Sequence, residues 1–257
     1  MCLILFAYKT NPRWPMIVAS NRDESYARPT LNAEFWSDSP EIFAGRDLEK
    51  GGTWLGLTKR GRFAAVTNHR DGFAKLDYPK SRGLLVEHFL RGQAPSLDYL
   101  QQVDSEKDLY AGFGCLLGDL SNLYFYSNRA DGIQSVAPGV HGLSNAFLNT
   151  PWPKVEKGKH ELSQLLTAQS PLCADALFEI LADRESFAHD QLPHTGIDSI
   201  REKALSSKFI AVDDQYGTKS STVIMVHESG DVHFLERSFG PSGHLTGDAQ
   251  IKFALES

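Results

Sequence analysis

The hydrophobic positions near the start of the chain fall into two runs of strand length. Residues 3–7 and 16–19 are apolar, and the stretch between them is rich in turn-forming residues, including two prolines. Two such runs joined by a turn predict a pair of antiparallel strands. This predicted hairpin, residues 1–24, places the first residues of the chain beside the polar cluster 20–24 that ends its second strand.

Further along the chain, predicted strands and helices follow one another in blocks. Apolar runs bounded by glycines and other turn residues predict strands over 42–47, 51–57, 63–68, 113–118, 123–127, 139–145, 221–227 and 231–237. Apolar residues at helical spacing predict helices over 81–92, 96–103, 153–168 and 174–182. Ser81 is the predicted cap of the first helix and Gly92 its stop signal. Residues 25–40 are interpreted as a loop, and 183–207 is too polar to assign.

The order of these blocks is strands, helices, strands, helices and strands. Segregated runs of this kind favour an α+β fold with mostly antiparallel sheets over a parallel βαβ repeat. No internal repeat or interdomain linker interrupts the pattern, so we expect one domain over residues 1–257.

Composition and charge narrow the classes of partner. The chain carries a net charge of −6 without a basic run, which argues against nucleic acid because phosphate binding needs concentrated positive charge. No apolar stretch approaches the roughly 20 residues of a membrane span, and the first apolar run is shorter than a signal-peptide core of about 7–15 residues. Three cysteines cannot all pair with one another, which suits a reducing compartment. We therefore expect a cytoplasmic protein.

The hairpin also assembles a candidate reaction site. Antiparallel pairing brings Cys2 close to Arg22 and Asp23. If Met1 is removed, Cys2 carries both a thiol and a free amine, and such an amine can serve as the base for its own side chain. A retained Met1 would acylate that base and stop the mechanism. The simpler alternatives are a cysteine packed as a small apolar residue and a solvated Arg–Asp pair.

A set of short blocks in a fixed order resembles one known family. The cluster Asn21-Arg22-Asp23-Glu24 matches the signature of the NRDE family, the transport and Golgi organisation protein 2 family. The chain contains further blocks that look like those of the family: Met1-Cys2, Gly51-Gly52-Thr53-Trp54-Leu55-Gly56, Thr67-Asn68, Ser81-Arg82-Gly83, His141-Gly142-Leu143-Ser144-Asn145, Thr150-Pro151-Trp152-Pro153-Lys154 and Tyr216 to Thr222. The resemblance covers essentially the whole chain.

The resemblance implies a fold and a set of residue roles. The family looks related to N-terminal-nucleophile (Ntn) hydrolases of the cysteine type, which implies a four-layer αββα sandwich. On that pattern Cys2 attacks an amide carbonyl, Arg22 favours the thiolate and Asp23 orients the α-amine. Asn68 and Asn145 donate to the oxyanion, and Arg237 matches a further arginine only loosely. No catalytic cofactor and no metal site is implied.

The biology of the family implies a different function on the same scaffold. It points to intracellular haem trafficking, with haem or another hydrophobic molecule as the transported ligand and Arg22, Trp54, Arg82 and His141 as the residues that bind it. No Cys-x-x-Cys-His motif for covalent haem attachment occurs. Amide hydrolysis by Cys2 is the alternative that the residues alone favour, and the resemblance places haem trafficking ahead of it.

Two further readings stay open. Binding of acyl-CoA or a related lipid would use Arg22, Arg46 or Arg82 for the charged end of the ligand. A pure interaction protein is the least favoured, because it gives no reason for polar residues clustered at the end of the hairpin. The sequence does not predict the oligomeric state.

Overall fold

The computed structural model describes residues 2–72, 78–169 and 171–256. Met1, on whose removal the hydrolase hypothesis depends, lies outside these residues. The strands are β1 Cys2–Tyr8, β2 Met16–Ser25, β3 Thr30–Trp36, β4 Ser39–Asp47, β5 Leu55–Thr58, β6 Phe63–Asn68, β7 Phe113–Gly118, β8 Leu123–Ser127, β9 Gln134–Ser135, β10 Gly139–Leu143, β11 Tyr216–Val226, β12 Asp231–Phe239 and β13 Leu245–Ala254. The α-helices are α1 Gly83–Arg91, α2 Ser96–Ser105, α3 Pro153–Thr167, α4 Ala174–Leu181 and α5 Ser199–Ala204.

The strands form two antiparallel sheets. Sheet A has the order β10-β1-β2-β11-β12-β13, and sheet B runs from β3 to β9 in chain order. The predicted N-terminal hairpin is confirmed, because β1 pairs with β2 in a register that sets Cys2 opposite Arg22. The predicted α+β class with mostly antiparallel sheets is confirmed as well.

Three apolar layers hold the sheets and helices together. Along β1, Ile4 and Phe6 point into the layer between the sheets, whereas Leu3 and Leu5 pack with residues of α3 and α4. A third layer joins sheet B to α1 and α2. This arrangement is the predicted αββα sandwich. Strand β1 is apolar on both faces because both faces are covered.

One edge strand of each sheet was not indicated by the sequence, and these two strands lie at the same edge of the sandwich. Residues 30–36 lie within the segment interpreted as a loop, but they form β3, the edge strand of sheet B. Strand β13 forms the edge of sheet A. Each is largely exposed and polar along one face, so neither has the apolar run by which a buried strand is recognised.

Two local predictions near the site were wrong. Gly51–Trp54 precedes β5 as a turn instead of belonging to it, and the N–H of Thr53 donates to Gly83 O at 3.2 Å. Ser81 does not cap α1 with its side chain. The residue before the helix is Arg82, and Ser81 accepts the N–H of Leu84 through its backbone carbonyl. Contacts between the turn and the start of α1 therefore replace a side-chain cap.

Candidate functional site

A cavity of about 100 Å³ opens between the two sheets beside Cys2. Sheet A contributes Cys2 and Arg22, and sheet B contributes Val66 and Asn68. Trp54 comes from the turn before β5. Among the other residues around the cavity are Asp23, Glu24, Arg28, Asp47, Gly52, Thr53, Ser81, Arg82 and Gly83. The site thus depends on how the two sheets face each other.

The thiol of Cys2 lies on the face of β1 that points between the sheets, since it alternates with Leu3 on the helix side. Only 9% of the residue is exposed. Burial raises the pKa of the Cys2 thiol, and nearby Asp23 raises it further. Arg22 and a hydrogen bond from the backbone N–H of Asp23 act in the opposite direction. Burial outweighs these effects, so the pKa is raised overall and the neutral thiol is favoured, with Arg22 and the Asp23 N–H offsetting part of the cost of forming the thiolate.

The guanidinium of Arg22 is fixed in place on several sides. It lies over the ring of Trp54 with 3.9 Å from its central carbon to the ring centroid. Its Nη1 donates to Thr30 Oγ1 at 3.0 Å, and Nη2 lies 3.8 Å from the carboxylate of Asp47. Stacking and hydrogen bonding of this kind hold an arginine in one orientation. A buried cation therefore stands directly across the strand pair from Cys2.

Asp23 is 1% exposed and points to the opposite face of β2. Its Oδ1 accepts a hydrogen bond from Thr218 Oγ1 at 2.8 Å. Burial raises the pKa of the Asp23 carboxyl, whereas the positive charge of Lys154 and the Thr218 bond lower it. The carboxyl group is thus part of a buried polar region behind Cys2.

The two candidate oxyanion donors, Asn68 and Asn145, lie side by side, but only Asn68 is among the residues that line the cavity. Asn68 lines the cavity at the end of β6. Asn145 is fully buried, and its Nδ2 donates to the backbone oxygen of Asn68 at 2.9 Å. Its neighbour Ser144 donates through Oγ to the backbone oxygen of Cys2 at 3.0 Å. Asn145 therefore holds the end of β6 and Ser144 holds the start of β1, while Asn68 is a residue of the cavity wall.

The proposed ligand-binding residues separate into two groups. Trp54 and Arg82 line the cavity together with Arg22, and Arg82 lies close enough to Cys2 for the two to interact electrostatically. His141 lies on β10, stacked on Phe6 at 5.1 Å. Its Nε2 hydrogen-bonds to Ala137 O at 2.9 Å, and Nδ1 accepts from Asn149 Nδ2 at 3.0 Å. Both ring nitrogens of His141 are occupied within the protein.

Two other arginines considered from the sequence also lie away from Cys2. Arg46 pairs with Asp38 at 2.9 Å, over the ring of Trp36. Arg237 pairs with Asp175 at 2.7 Å, on the helix-facing side of sheet A. Arg237, the loose match to a family arginine, therefore lies on the opposite face of sheet A from the Cys2 thiol.

Lys154 is a buried lysine behind the site that the sequence pattern did not indicate as a functional residue. Lys154, at the start of α3, is 2% exposed and donates to Leu205 O at 3.1 Å. Burial lowers the pKa of Lys154 to about 8, although Asp23 opposes that change. Next to it, Arg70 and Glu202 form a buried ion pair at 2.5 Å. The only sequence signal was the position of Lys154 within a family block.

Comparison with solved structures defines the class of the fold. A cysteine-to-alanine variant of a conjugated bile acid hydrolase from Clostridium perfringens aligns with a TM-score of 0.53 at 9% identity, covering 98% of this chain and 92% of that one. An N-acylethanolamine-hydrolyzing acid amidase orthologue from Caenorhabditis elegans aligns with a TM-score of 0.50 at 10% identity, covering 87% and 92% of the two chains. The fold is that of the Ntn hydrolases.

Comparison of sequences gives the family. The profile of the family described as Transport and Golgi organisation 2 matches residues 1–241. The human Transport and Golgi organization protein 2 homolog is 38% identical, with 93% of each chain covered. The Drosophila melanogaster protein is 26% identical over 93% of this chain and 92% of its own. The chain belongs to the Transport and Golgi organisation 2 family.

Among the residues described by the structure, no helix is both long and apolar enough to span a membrane.

Proposed function

We propose that the Cys2 cavity is an N-terminal-nucleophile site that hydrolyses the amide bond of a small acyl compound. The observation that carries this proposal is the setting of the Cys2 thiol. It is buried beside the guanidinium groups of Arg22 and Arg82, it accepts a hydrogen bond from the N–H of Asp23, and it shares its cavity with Asn68. Cations and backbone donors around a thiol stabilise its nucleophilic form.

The proposed reaction has two stages and requires that Cys2 be the first residue. In the first, Sγ attacks the carbonyl carbon while the thiol proton passes to the α-amine of Cys2. The amine returns that proton to the leaving nitrogen as the C–N bond breaks, which leaves an acyl thioester on Cys2. In the second, water attacks the thioester, releasing the acid and restoring the thiol. In this proposal Asn68 donates to the developing oxyanion and Asp23 orients the amine.

The shape and charge of the cavity favour a small or narrow reacting group. Its volume of about 100 Å³ is below the roughly 300 Å³ at which drug-sized ligands begin to be enclosed. Three arginines and three acidic residues line it, and Asp47 pairs with Arg22 and Arg28, whereas Arg82 makes no ion pair within the described residues. We therefore expect a substrate whose acyl carbonyl enters the cavity and which bears a negative charge nearby. Binding of the charged end of an acyl-CoA would use the same arginines.

A matched pair of cysteine variants tests the hydrolase proposal. We expect Cys2→Ser to lower turnover of a cleaved acyl amide by at least about 100-fold, because the thiolate is the nucleophile. Cys173→Ser, which alters an exposed free cysteine, should retain the wild-type rate. Release of the amine is followed across a panel of N-acyl amides with anionic and neutral head groups. Wild-type turnover by Cys2→Ser would refute the assigned nucleophile.

Haem carriage is the second candidate, and one histidine favours it. His69 directly follows Asn68, and its ring lies tilted against that of Phe147 with the ring centroids 5.1 Å apart. Its Nδ1 is buried without a hydrogen-bond partner among the described residues. A neutral imidazole nitrogen is a common axial ligand for haem iron. His69, unlike His141, would bind iron without giving up hydrogen bonds through that atom.

Titration with haem, followed by absorbance, tests this candidate. We expect saturation at one haem per chain with a Soret shift that is lost in His69→Ala and kept in His141→Ala. Uptake that does not saturate, or a shift unchanged in His69→Ala, would contradict carriage through His69.

A further inference from the structure

A second and larger cavity lies on the other side of sheet A. Its volume is about 390 Å³, within the range of sites that bind small organic molecules. Aromatic and aliphatic side chains form much of its wall: Phe178, Phe209, Phe239 and Leu245. Arg184 and Arg237 are the basic residues that line it. An apolar wall with cationic groups suits a ligand with an apolar body and an anionic end.

The two arginines are held flat against aromatic rings. The guanidinium carbon of Arg237 lies 4.0 Å from the ring centroid of Phe178, and that of Arg184 lies 4.7 Å from the ring centroid of Phe209. Phe209 in turn meets Phe239 edge-to-face at 5.0 Å. Stacking orients a guanidinium and leaves the N–H groups at its edge directed outward. Both cations are therefore pre-positioned next to apolar surface.

The two cations differ in what they already bind. Arg237 donates to the carboxylate of Asp175 at 2.7 Å, and Asp248 faces it across the β12–β13 pair. Arg184 makes no ion pair within the described part of the chain, and its Nη2 donates to Ser242 O at 3.4 Å. Most of the donor capacity of Arg184 is thus available to an added carboxylate.

The turn that follows β12 is fitted closely to Arg184. Gly243 has a φ of +74°, and a Cβ there would lie 2.4 Å from Arg184 Nη2 and 2.7 Å from Phe209 Cε1. A side chain at this position would push into the stacked pair. Leu245, just beyond the turn, is 56% exposed at the rim of the cavity. The turn therefore supports Arg184 and presents an apolar rim.

We propose that this cavity binds a small amphipathic monocarboxylate. The carboxylate pairs with Arg184, and the apolar body lies against Phe178, Phe209 and Leu245. Asp175 and Asp248 disfavour a second negative charge on the ligand, which is why a monoanion fits better than a dianion. The site is separate from the Cys2 cavity, so it does not depend on the proposed hydrolase activity.

Calorimetric titration of the full chain with decanoate, 1-decanol and decanedioate tests the proposal. We expect saturable binding of one decanoate per chain, with 1-decanol and decanedioate at least about tenfold weaker. The alcohol has no carboxylate to pair with Arg184, and the second carboxylate of decanedioate is repelled by Asp175 and Asp248. Arg184→Gln should weaken decanoate binding by about tenfold or more. The exposed Arg13→Gln variant should bind as the wild type does.

Leu245→Asp provides a second test, which does not depend on whether Arg184→Gln folds correctly. Leu245→Asp places a charge at the exposed rim, where it should leave the thermal midpoint unchanged and abolish decanoate binding. Decanoate binding that persists unchanged in both Arg184→Gln and Leu245→Asp would overturn the proposal. Equal affinity for decanoate and 1-decanol, or no saturable binding, would also overturn it.

Discussion

Glu236 shows how a single buried group can set the pH dependence of the fold. It is 2% exposed on β12 and accepts the N–H of Ala33 at 2.7 Å and the hydroxyl of Thr222 at 3.2 Å. The first of these bonds joins sheet A to β3 of sheet B. Burial raises the pKa of Glu236 from 4.5 to about 7, against the opposing effects of both bonds and of Arg22. The protonated form is therefore the one that the fold favours.

The raised pKa of Glu236 determines how the stability of the fold changes with pH. Because the pKa is higher in the folded state, the contribution of Glu236 to stability is fully present below pH 4.5 and is lost as the pH rises through about 7. The loss amounts to roughly 3 kcal/mol at most. Glu236→Gln is neutral at every pH and keeps both hydrogen-bond partners. We expect it to be more stable than the wild type at pH 8 and nearly equal to it at pH 4.5.

Urea unfolding of both proteins at the two pH values measures this difference. The other titrating groups are shared by the two proteins and cancel in the comparison. Glu34→Gln, at an exposed position on β3, is the matched control. A gap in stability between Glu236→Gln and the wild type that is the same at both pH values would contradict the account.

Individual residues of the site were predictable to different extents. The pairing of Cys2 with Arg22 follows from two apolar runs and a short turn, so local patterning was enough. Asn68, Trp54 and Arg82 were found through family blocks, not through any local signal. The burial of Lys154 depends on the chain between α4 and β11 folding over it, and no sequence pattern near Lys154 encodes that contact.

At the scale of elements, the turn before β5 and the start of α1 hold one wall of the cavity. A Cβ at Gly52 would lie 2.4 Å from Gly83 C and 2.8 Å from Leu84 N, both backbone atoms of the first turn of α1. We expect Gly52→Ala to lower the free energy of unfolding by about 1–3 kcal/mol, because backbone cannot move aside as a side chain can. It should also lower any activity of the Cys2 cavity.

The control for this prediction is a glycine with a movable neighbour. A Cβ at Gly247 on β13 would meet the end of the Asn32 side chain at 3.0 Å, and that amide can rotate away. Urea midpoints of the two variants measure the contrast. If Gly52→Ala proves as stable as Gly247→Ala, the turn does not support α1 in the way described.

Element prediction succeeded where burial is complete and failed at the edges. Strands β1 and β7 are apolar throughout because both of their faces are covered, and the sequence predicted both. Strands β3 and β13 each leave one face and one edge to solvent, so their patterns resemble polar loops. The turn at Gly51–Trp54 was predicted as a strand because it runs directly into the apolar residues of β5.

At the scale of the whole molecule, the site exists because two sheets face each other. Cys2 and Arg22 come from sheet A, and Val66 and Asn68 come from sheet B. The pattern along any one strand states which face is apolar but not which strand of the other sheet will lie opposite. The αββα layering came from the family resemblance, and that layering is what unites the predicted residues.

Intact mass spectrometry tests the proposal that Cys2 acts as an N-terminal nucleophile. The purified chain is treated with p-nitrophenyl acetate, and its mass is followed before and after digestion. We expect a chain that begins at Cys2 and gains one acetyl group on that residue, and we expect no labelling at position 2 in Cys2→Ser. A mass that still contains Met1, or an acetyl group found only elsewhere, would contradict it.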